Sequence, residues 1–315
     1  MNYKRLRQRF CKDYNLPINV FDDLIFQYYS ELYDFFPMDV YNNLLKVIEY
    51  KYDGNVELWL DYCASVRDKA INSIMESDIY KKFNECDLSK FDIPNICGER
   101  NCYTEYTNGK HFISIDLRKA NFQALKYVGV VSDNTYEDFI KRNGGDEYIV
   151  NSKYLRQVIF GKMNPKRQIK VEKYLMYKAY ESIKHIVDAE GLELYSFNSD
   201  EIIFEVPNDL HNMLNYYTMS KLTEELRDII KYNVGVDVRV EYVKINKLNI
   251  FSNDTQIDAY ERINCVTNET KLKKASTTFF PQIYKLWKGM EIDVLDRVFF
   301  FENQLATFNE PLIMK

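Results

Sequence analysis

The first 92 residues have the hydrophobic pattern of helices. Apolar side chains recur every three or four positions over residues 20–29, 40–48 and 56–74. Proline residues or an Asp-Gly pair separate these stretches. The pattern predicts an N-terminal helical domain over residues 1–92.

After residue 92 the pattern changes to strands. Residues 102–107 and 110–116 are short apolar stretches joined by Asn108-Gly109, a strong signal for a tight hairpin turn. The second stretch ends in Asp116 and runs into a helical pattern. We therefore expect a hairpin whose second strand delivers a carboxylate at its end.

A second hairpin is predicted around Ser199-Asp200-Glu201. Its flanks, residues 192–197 and 202–206, are short and rich in β-branched and aromatic side chains, and turn formers separate them. Two carboxylates would then lie side by side at the hairpin tip.

The remaining pattern completes a mixed fold. A long helix is predicted from Pro165 to about residue 190, a further helix over residues 210–232 and an alternating strand over residues 236–243. Without the insertion between the first helix and the long helix, the order is βαββαβ, a split βαβ arrangement. We expect an α+β, palm-like domain over residues 93–250, with a basic, fingers-like insertion at about 130–175. A C-terminal α/β extension would follow over residues 251–315.

Composition narrows the functional classes. The chain has 315 residues, 46% of them hydrophobic, and a net charge of −5, which excludes a globally basic nucleic-acid binder. Its 26 Tyr and 20 Phe accompany only 10 Gly, a bias that suggests an AT-rich genome such as that of a virus or phage. Six cysteines without a framework and no apolar leader predict a cytoplasmic protein, in the host cytoplasm if viral.

The three acids Asp116, Asp200 and Glu201 predict a metal site. Like charges on buried strands are costly unless a cation compensates them. Hard oxygen ligands without His or Cys suit Mg²⁺, with two ions expected and Mn²⁺ as a substitute. The alternative is that Asp116 caps a helix and the other two are ordinary turn acids.

A basic segment over residues 151–173 predicts an anion site. It contains seven Lys or Arg residues against a single acid, Glu172. Lys166 and Arg167 fall in the first turn of the long helix, where cations oppose the helix dipole and a bound phosphate would compensate them. The alternative is a solvated basic face.

These motifs resemble a known group of enzymes. A strand-end Asp followed by a hairpin Ser-Asp-Glu is similar to the palm domain of nucleic-acid polymerases and tRNA-His guanylyltransferase-like enzymes. The resemblance implies that Asp116, the Leu117 carbonyl and Asp200 bind the metal, with Glu201 assisting. The guanylyltransferase family's Arg after the strand-end Asp-Gly is not reproduced, since Leu117-Arg118 follows Asp116 here.

The basic segment resembles the fingers helix of family A DNA polymerases, which holds the triphosphate and stacks an aromatic ring on the base. Lys153, Arg156, Phe160 and Gly161 carry this likeness. The nucleotide-binding residues expected overall are Lys119, Asn121, Lys153, Arg156, Phe160, Lys162, Lys166 and Arg167.

The leading expectation is a metal-dependent nucleotidyltransferase that extends a nucleic acid or modifies its end. Its partners would be a nucleoside triphosphate and DNA or RNA, without a membrane. One alternative is a non-enzymatic viral protein that binds nucleic acid or a host factor on a palm scaffold. Another is a nucleotide cyclase, which would need a symmetric dimer.

Overall fold

The computed structural model describes residues 3–99, 101–207, 216–302 and 304–315. Twelve α-helices are described: α1 Tyr3–Asp13, α2 Asp23–Leu32, α3 Met38–Tyr52, α4 Val56–Met75, α5 Asp78–Glu85, α6 Ala120–Tyr127, α7 Tyr136–Arg142, α8 Glu147–Asn151, α9 Lys153–Gly161, α10 Pro165–Ala189, α11 Tyr216–Val234 and α12 Phe280–Trp287. The strands are β1 Lys110–Leu117, β2 Glu193–Phe197, β3 Glu201–Val206, β4 Val238–Lys247, β5 Ile250–Ser252, β6 Thr255–Ile257, β7 Tyr260–Asn264, β8 Thr270–Lys273, β9 Val298–Phe301, β10 Gln304–Thr307 and β11 Ile313–Met314. The predicted mixed α+β class is confirmed.

Side-chain caps set several helix starts. The Asp22 carboxylate accepts a hydrogen bond from the Leu24 N–H at the start of α2. At the start of α4, the Asn55 side-chain oxygen accepts one from the Glu57 N–H. The three helices predicted over residues 20–29, 40–48 and 56–74 are confirmed as α2, α3 and α4. Of the helix predicted over residues 210–232, residues 210–215 lie outside the described part. No described helix is long and apolar enough to cross a membrane.

The chain forms two compact units. The first combines Met1–Lys82, Val130–Asn164 and Ser276–Ile313, and is mainly helical. The second combines Phe83–Gly129 and Pro165–Ala275 with the last two residues, and contains the largest sheet.

A buried carboxylate, Asp13, links α1 to α8 and to the start of α9 within the first unit. Asp13 is fully buried and accepts hydrogen bonds from Arg9 Nε at 2.8 Å, from the Tyr148 hydroxyl at 3.0 Å and from the Ser152 hydroxyl. A carboxylate without water needs such partners. Arg9 therefore has a structural role, as the ion-pair partner of this carboxylate.

The large sheet of the second unit has six strands in the order β2-β3-β1-β4-β7-β8, with antiparallel neighbours throughout. The predicted hairpin around Ser199-Asp200-Glu201 is confirmed as β2 and β3. The predicted hairpin at Asn108-Gly109 is wrong. Both edges of β1 are paired, with β3 and β4, so no edge remains for a preceding strand, and Glu105–Thr107 forms a 3₁₀ turn instead.

The two faces of this sheet differ. Helices cover one face, where Ile113, Ile202 and Phe204 are fully buried and the Tyr180 ring of α10 lies 6.1 Å from the Phe204 ring. Alternation along the strands places the other set of side chains on the opposite face. This opposite face has an apolar half, the cluster of Cys102, Phe112, Ile203, Val243, Ile245 and Tyr260. Its other half is charged and contains the candidate site.

Candidate functional site

Strand pairing places the segments that carry the three predicted acids at one end of the sheet. Asp116, near the end of β1, lies directly opposite Glu201, the first residue of β3. The N–H of Leu117 donates to the carbonyl of Asp200 at 2.7 Å. Asp116 and Glu201 belong to the same sheet face because cross-strand partners point to the same side. Residues far apart in sequence thus meet at one end of the two central strands.

Asp116 does not cap the following helix. It belongs to β1, and α6 begins after Lys119, which has a left-handed φ of 50° and makes no side-chain capping bond. The helix-cap alternative is therefore wrong for Asp116.

The Asp116 carboxylate lies in a crowded field of charges. Burial raises its pKa, the nearby carboxylates Glu201 and Asp200 raise it further, and Arg239 opposes the shift. The Arg239 Nη2 lies 3.2 Å from Asp116 Oδ2 across the strand pair. This guanidinium supplies positive charge to the acidic group.

The other two acids have different surroundings. Glu201 accepts a hydrogen bond of 2.7 Å from the Ser114 hydroxyl, whereas Asp200 is exposed at the turn. Among the described residues, no group of three or more His, Cys, Asp or Glu side chains has the geometry to hold a metal ion. The donor chemistry, three carboxylates and the Leu117 carbonyl, is that of a magnesium site. In this structure, however, Arg239 donates a hydrogen bond to the Asp116 carboxylate and Ser114 donates one to the Glu201 carboxylate.

A fourth acid, Glu172 of α10, belongs to this neighbourhood and was missed from the sequence. It is 3% exposed, and Asn121 Nδ2 donates to its Oε1 at 2.7 Å. Burial raises its pKa to about 7, with Asp200 adding to the rise and Asn121 opposing it. The available signal was its spacing from Gln168 and Met176, which share the buried stripe of α10.

Cations form a second group on the same sheet face. Arg262 of β7 donates to Glu241 of β4 at 2.9 Å. Arg239 Nε lies 3.5 Å from Glu241 but makes no hydrogen bond among the described residues. With Lys271 and Lys273 of β8 these side chains line a small cavity. Sequence reasoning missed the group because it assigned β7 and β8 to a separate extension.

The predicted nucleotide-binding residues of the second unit have mixed surroundings. The Asn121 side chain donates a hydrogen bond to Glu172. The Arg167 guanidinium donates to the Cys86 carbonyl and lies 5.2 Å from the centre of the Phe83 ring. These contacts give Arg167 a structural reason to occupy the first turn of α10. Lys166 is exposed in that turn, and Lys119 is half-buried before α6.

The other predicted nucleotide-binding residues belong to the first unit. Lys153 and Lys162 are exposed, and the Arg156 guanidinium lies 5.8 Å from the centre of the Tyr136 ring. Phe160 is 2% exposed, 6.2 Å from the Tyr136 ring, so the stacking role expected for it does not fit its burial. That the three cations face the acidic residues stays a prediction.

Comparison of the chain with protein-family models, with curated proteins and with solved structures finds no match in any of the three.

Proposed function

We propose that the protein is a metal-dependent nucleotidyltransferase with a palm-type catalytic unit. The observation that carries the proposal is the placement of Asp116 opposite Glu201, with the adjacent Asp200 bonded through its carbonyl to the Leu117 N–H, at one end of β1 and β3. Carboxylates arranged at neighbouring strand ends are the ligands with which two-metal enzymes bind Mg²⁺.

The strand connections support a palm-type arrangement. The order β2-β3-β1-β4 in space, with helices after β1 and after β3 in sequence, is that of a split βαβ sheet. Helices cover one face of this sheet, and the acids Asp116 and Glu201 belong to the other. A nucleic acid would therefore approach the acids from the face without helices.

Asp116, Asp200, Glu201 and the Leu117 carbonyl would hold the magnesium ions. Bound there, the ions would activate a 3′-hydroxyl and neutralise charge on the phosphates. Arg239 opposes the rise that burial causes in the pKa of Asp116, and its ion pair with that carboxylate would have to open for a metal ion to be held there. Glu172, with a pKa of about 7, can hold or release a proton close to Asp200.

One observation favours a second candidate, a nucleic-acid-binding scaffold without catalysis. The ion pair between Arg239 and Asp116 neutralises the acid without a metal. In that case the sheet face would bind phosphates through its cations alone.

Extension of labelled oligonucleotides separates the two candidates. We expect the purified protein with Mg²⁺ and nucleoside triphosphates to lengthen a single-stranded or primed oligonucleotide. Asp116→Asn should reduce the rate by about a thousandfold, because several kcal/mol of transition-state stabilisation is lost. The matched control is Asp254→Asn, which removes an exposed acid from the β5–β6 turn. This variant should retain activity. Absence of extension in the wild type, with retained oligonucleotide binding, would favour the scaffold.

A further inference from the structure

The cation group beside the acids has a cavity of its own. Its volume is about 50 Å³, and it lies over β4, β7 and β8. The lining side chains are those of Arg239, Glu241, Val243, Arg262, Asn264, Glu269, Lys271 and Lys273. A single water needs roughly 10–15 Å³ by this kind of measure. The cavity therefore has room for a small polyatomic group, but not for a whole nucleotide.

Cations outnumber acids in the lining of the cavity. Four cations accompany two carboxylates, Glu241 and Glu269, while two acids outside the lining, Asp116 and Glu201, act on Arg239 and on Arg262 and Lys273. Glu241 is paired with Arg262, and Glu269 is paired with Lys271 at 2.9 Å. Arg239 Nε also lies 3.5 Å from Glu241, so three of the four cations have a carboxylate partner within the lining.

Lys273 is the cation without such a partner. It is half-buried, and within the described residues its ammonium makes no ion pair. Burial lowers its pKa, Arg262, Lys271 and Arg239 lower it further, and Glu201 opposes the shift. The net shift is downward, so an anion bound in the cavity would stabilise the charged ammonium further.

Arg239 offers a second unsatisfied donor. Its Nε is buried and has no hydrogen-bond partner among the described residues, although the Asp116 carboxylate accepts from its Nη2. A buried guanidinium N–H without an acceptor is costly. An oxygen-rich anion in the cavity would accept from this N–H and from the Lys273 ammonium together.

We propose that this cavity is a phosphate-binding site, formed by Arg239, Arg262, Lys271 and Lys273. A phosphate group carries between one and two negative charges near pH 7 and offers several acceptor oxygens, which suit the Lys273 ammonium and the buried Arg239 N–H. The ligand is a free phosphate or the terminal phosphate of a larger molecule. The site goes beyond the proposed nucleotide transfer, because it needs neither a bound metal nor catalysis.

The test is calorimetric titration of the whole protein, in the presence of EDTA, with inorganic phosphate, pyrophosphate and a 5′-phosphorylated oligonucleotide. The wild type should bind at least one of these. Lys273→Gln should bind it about tenfold more weakly, as expected for one lost charge-assisted hydrogen bond. Lys274→Gln is the matched control, because it removes the same charge one residue away, from an exposed side chain outside the cavity. It should bind like the wild type.

Thermal unfolding without phosphate provides a second readout. Lys273→Gln relieves repulsion among four cations, so its midpoint should equal or exceed that of the wild type, whereas a purely structural lysine would give a lower one. Lys271→Gln, at an exposed position, repeats the binding test if the first variant does not fold. Equal loss of binding in Lys273→Gln and Lys274→Gln would overturn the proposal, as would no binding by the wild type. Binding of the oligonucleotide alone would assign the phosphate to nucleic acid, and binding of the inorganic ions would assign it to a free anion.

Discussion

Glu172 shows how one buried side chain links stability to the candidate site. Its carboxyl group lies in the helix-covered layer, within the electrostatic reach of Asp200, and its hydrogen-bond donor is Asn121. Burial favours the neutral acid over the ionised form. The protein therefore carries a group whose charge changes near neutral pH beside the acids proposed to bind metal.

The raised pKa predicts a stability that falls with pH. The folded protein holds the Glu172 proton up to about pH 7, whereas the unfolded chain releases it near the ordinary glutamate pKa of 4.5. The contribution is thus fully present below about pH 4.5 and is lost as the pH rises to about 7. Glu172→Gln should remove this loss and raise the free energy of unfolding at pH 8 by about 1–3 kcal/mol, with a smaller gain at pH 5. Urea unfolding at both pH values measures the difference.

Glu181→Gln on α10 is the control for this prediction. Glu181 is exposed, so its substitution should change stability by less than about 0.5 kcal/mol at either pH. A gain for Glu172→Gln that is the same at pH 5 and pH 8 would contradict the raised pKa.

At the scale of elements, the edge of the sheet next to the acidic hairpin is held by a short extended segment. The Glu99 N–H donates to the Tyr195 carbonyl at 2.8 Å, and Glu99 forms a parallel bridge with Ser196 of β2. Gly98 permits this approach, because a Cβ there would lie 3.1 Å from the Phe197 nitrogen. Backbone atoms cannot move away as a flexible side chain can.

Gly98→Ala should therefore weaken the edge of the sheet. We expect a loss of about 1–3 kcal/mol in the free energy of unfolding, typical of overpacking. Amide exchange at Glu99 should also become faster in this variant, because the added methyl group would weaken the hydrogen bond from the Glu99 N–H to the Tyr195 carbonyl. Gly161→Ala in α9 is the control: its Cβ meets open space, so stability should be unchanged or rise by about 0.5–1 kcal/mol. Equal stability of the Gly98 and Gly161 variants would show that the segment does not need the close approach.

The elements also show which patterns in the sequence could be read. Helical periodicity predicted α2, α3 and α4, and the strand flanks predicted the hairpin of β2 and β3, because these signals are local. The hairpin predicted at Asn108-Gly109 is wrong because a turn signal does not reveal that both edges of β1 pair with distant strands. The local sequence thus predicts where a helix or strand lies more readily than which strand it pairs with.

At the scale of the whole molecule, the site depends on pairings between distant segments. The pairing of the Asp116 strand with the Asp200 hairpin was predictable, since Asp116 lies near the end of one strand and Asp200 in the turn before another strand of the same βαββαβ order. The contributions of Glu172, Arg239 and Lys273 were not, because each depends on which residues of α10, β4 and β8 face the acids. With a net charge of −5 overall, a local group of cations is what would attract a phosphate.

Thermal unfolding with and without Mg²⁺ tests most directly the proposal that Asp200 binds metal. Metal that binds only the folded protein raises its stability by about 2.7 kcal/mol at a hundredfold excess over Kd. We predict that Mg²⁺ raises the midpoint of the wild type and leaves that of Asp200→Asn unchanged. Without metal the variant should be as stable as the wild type or slightly more so, because Asp200 repels Asp116 and Glu172.

Asp254→Asn, which removes an exposed acid from another hairpin turn, should keep the full response to Mg²⁺. The claim is contradicted if Mg²⁺ shifts the midpoint of Asp200→Asn as much as that of the wild type, or if it shifts neither.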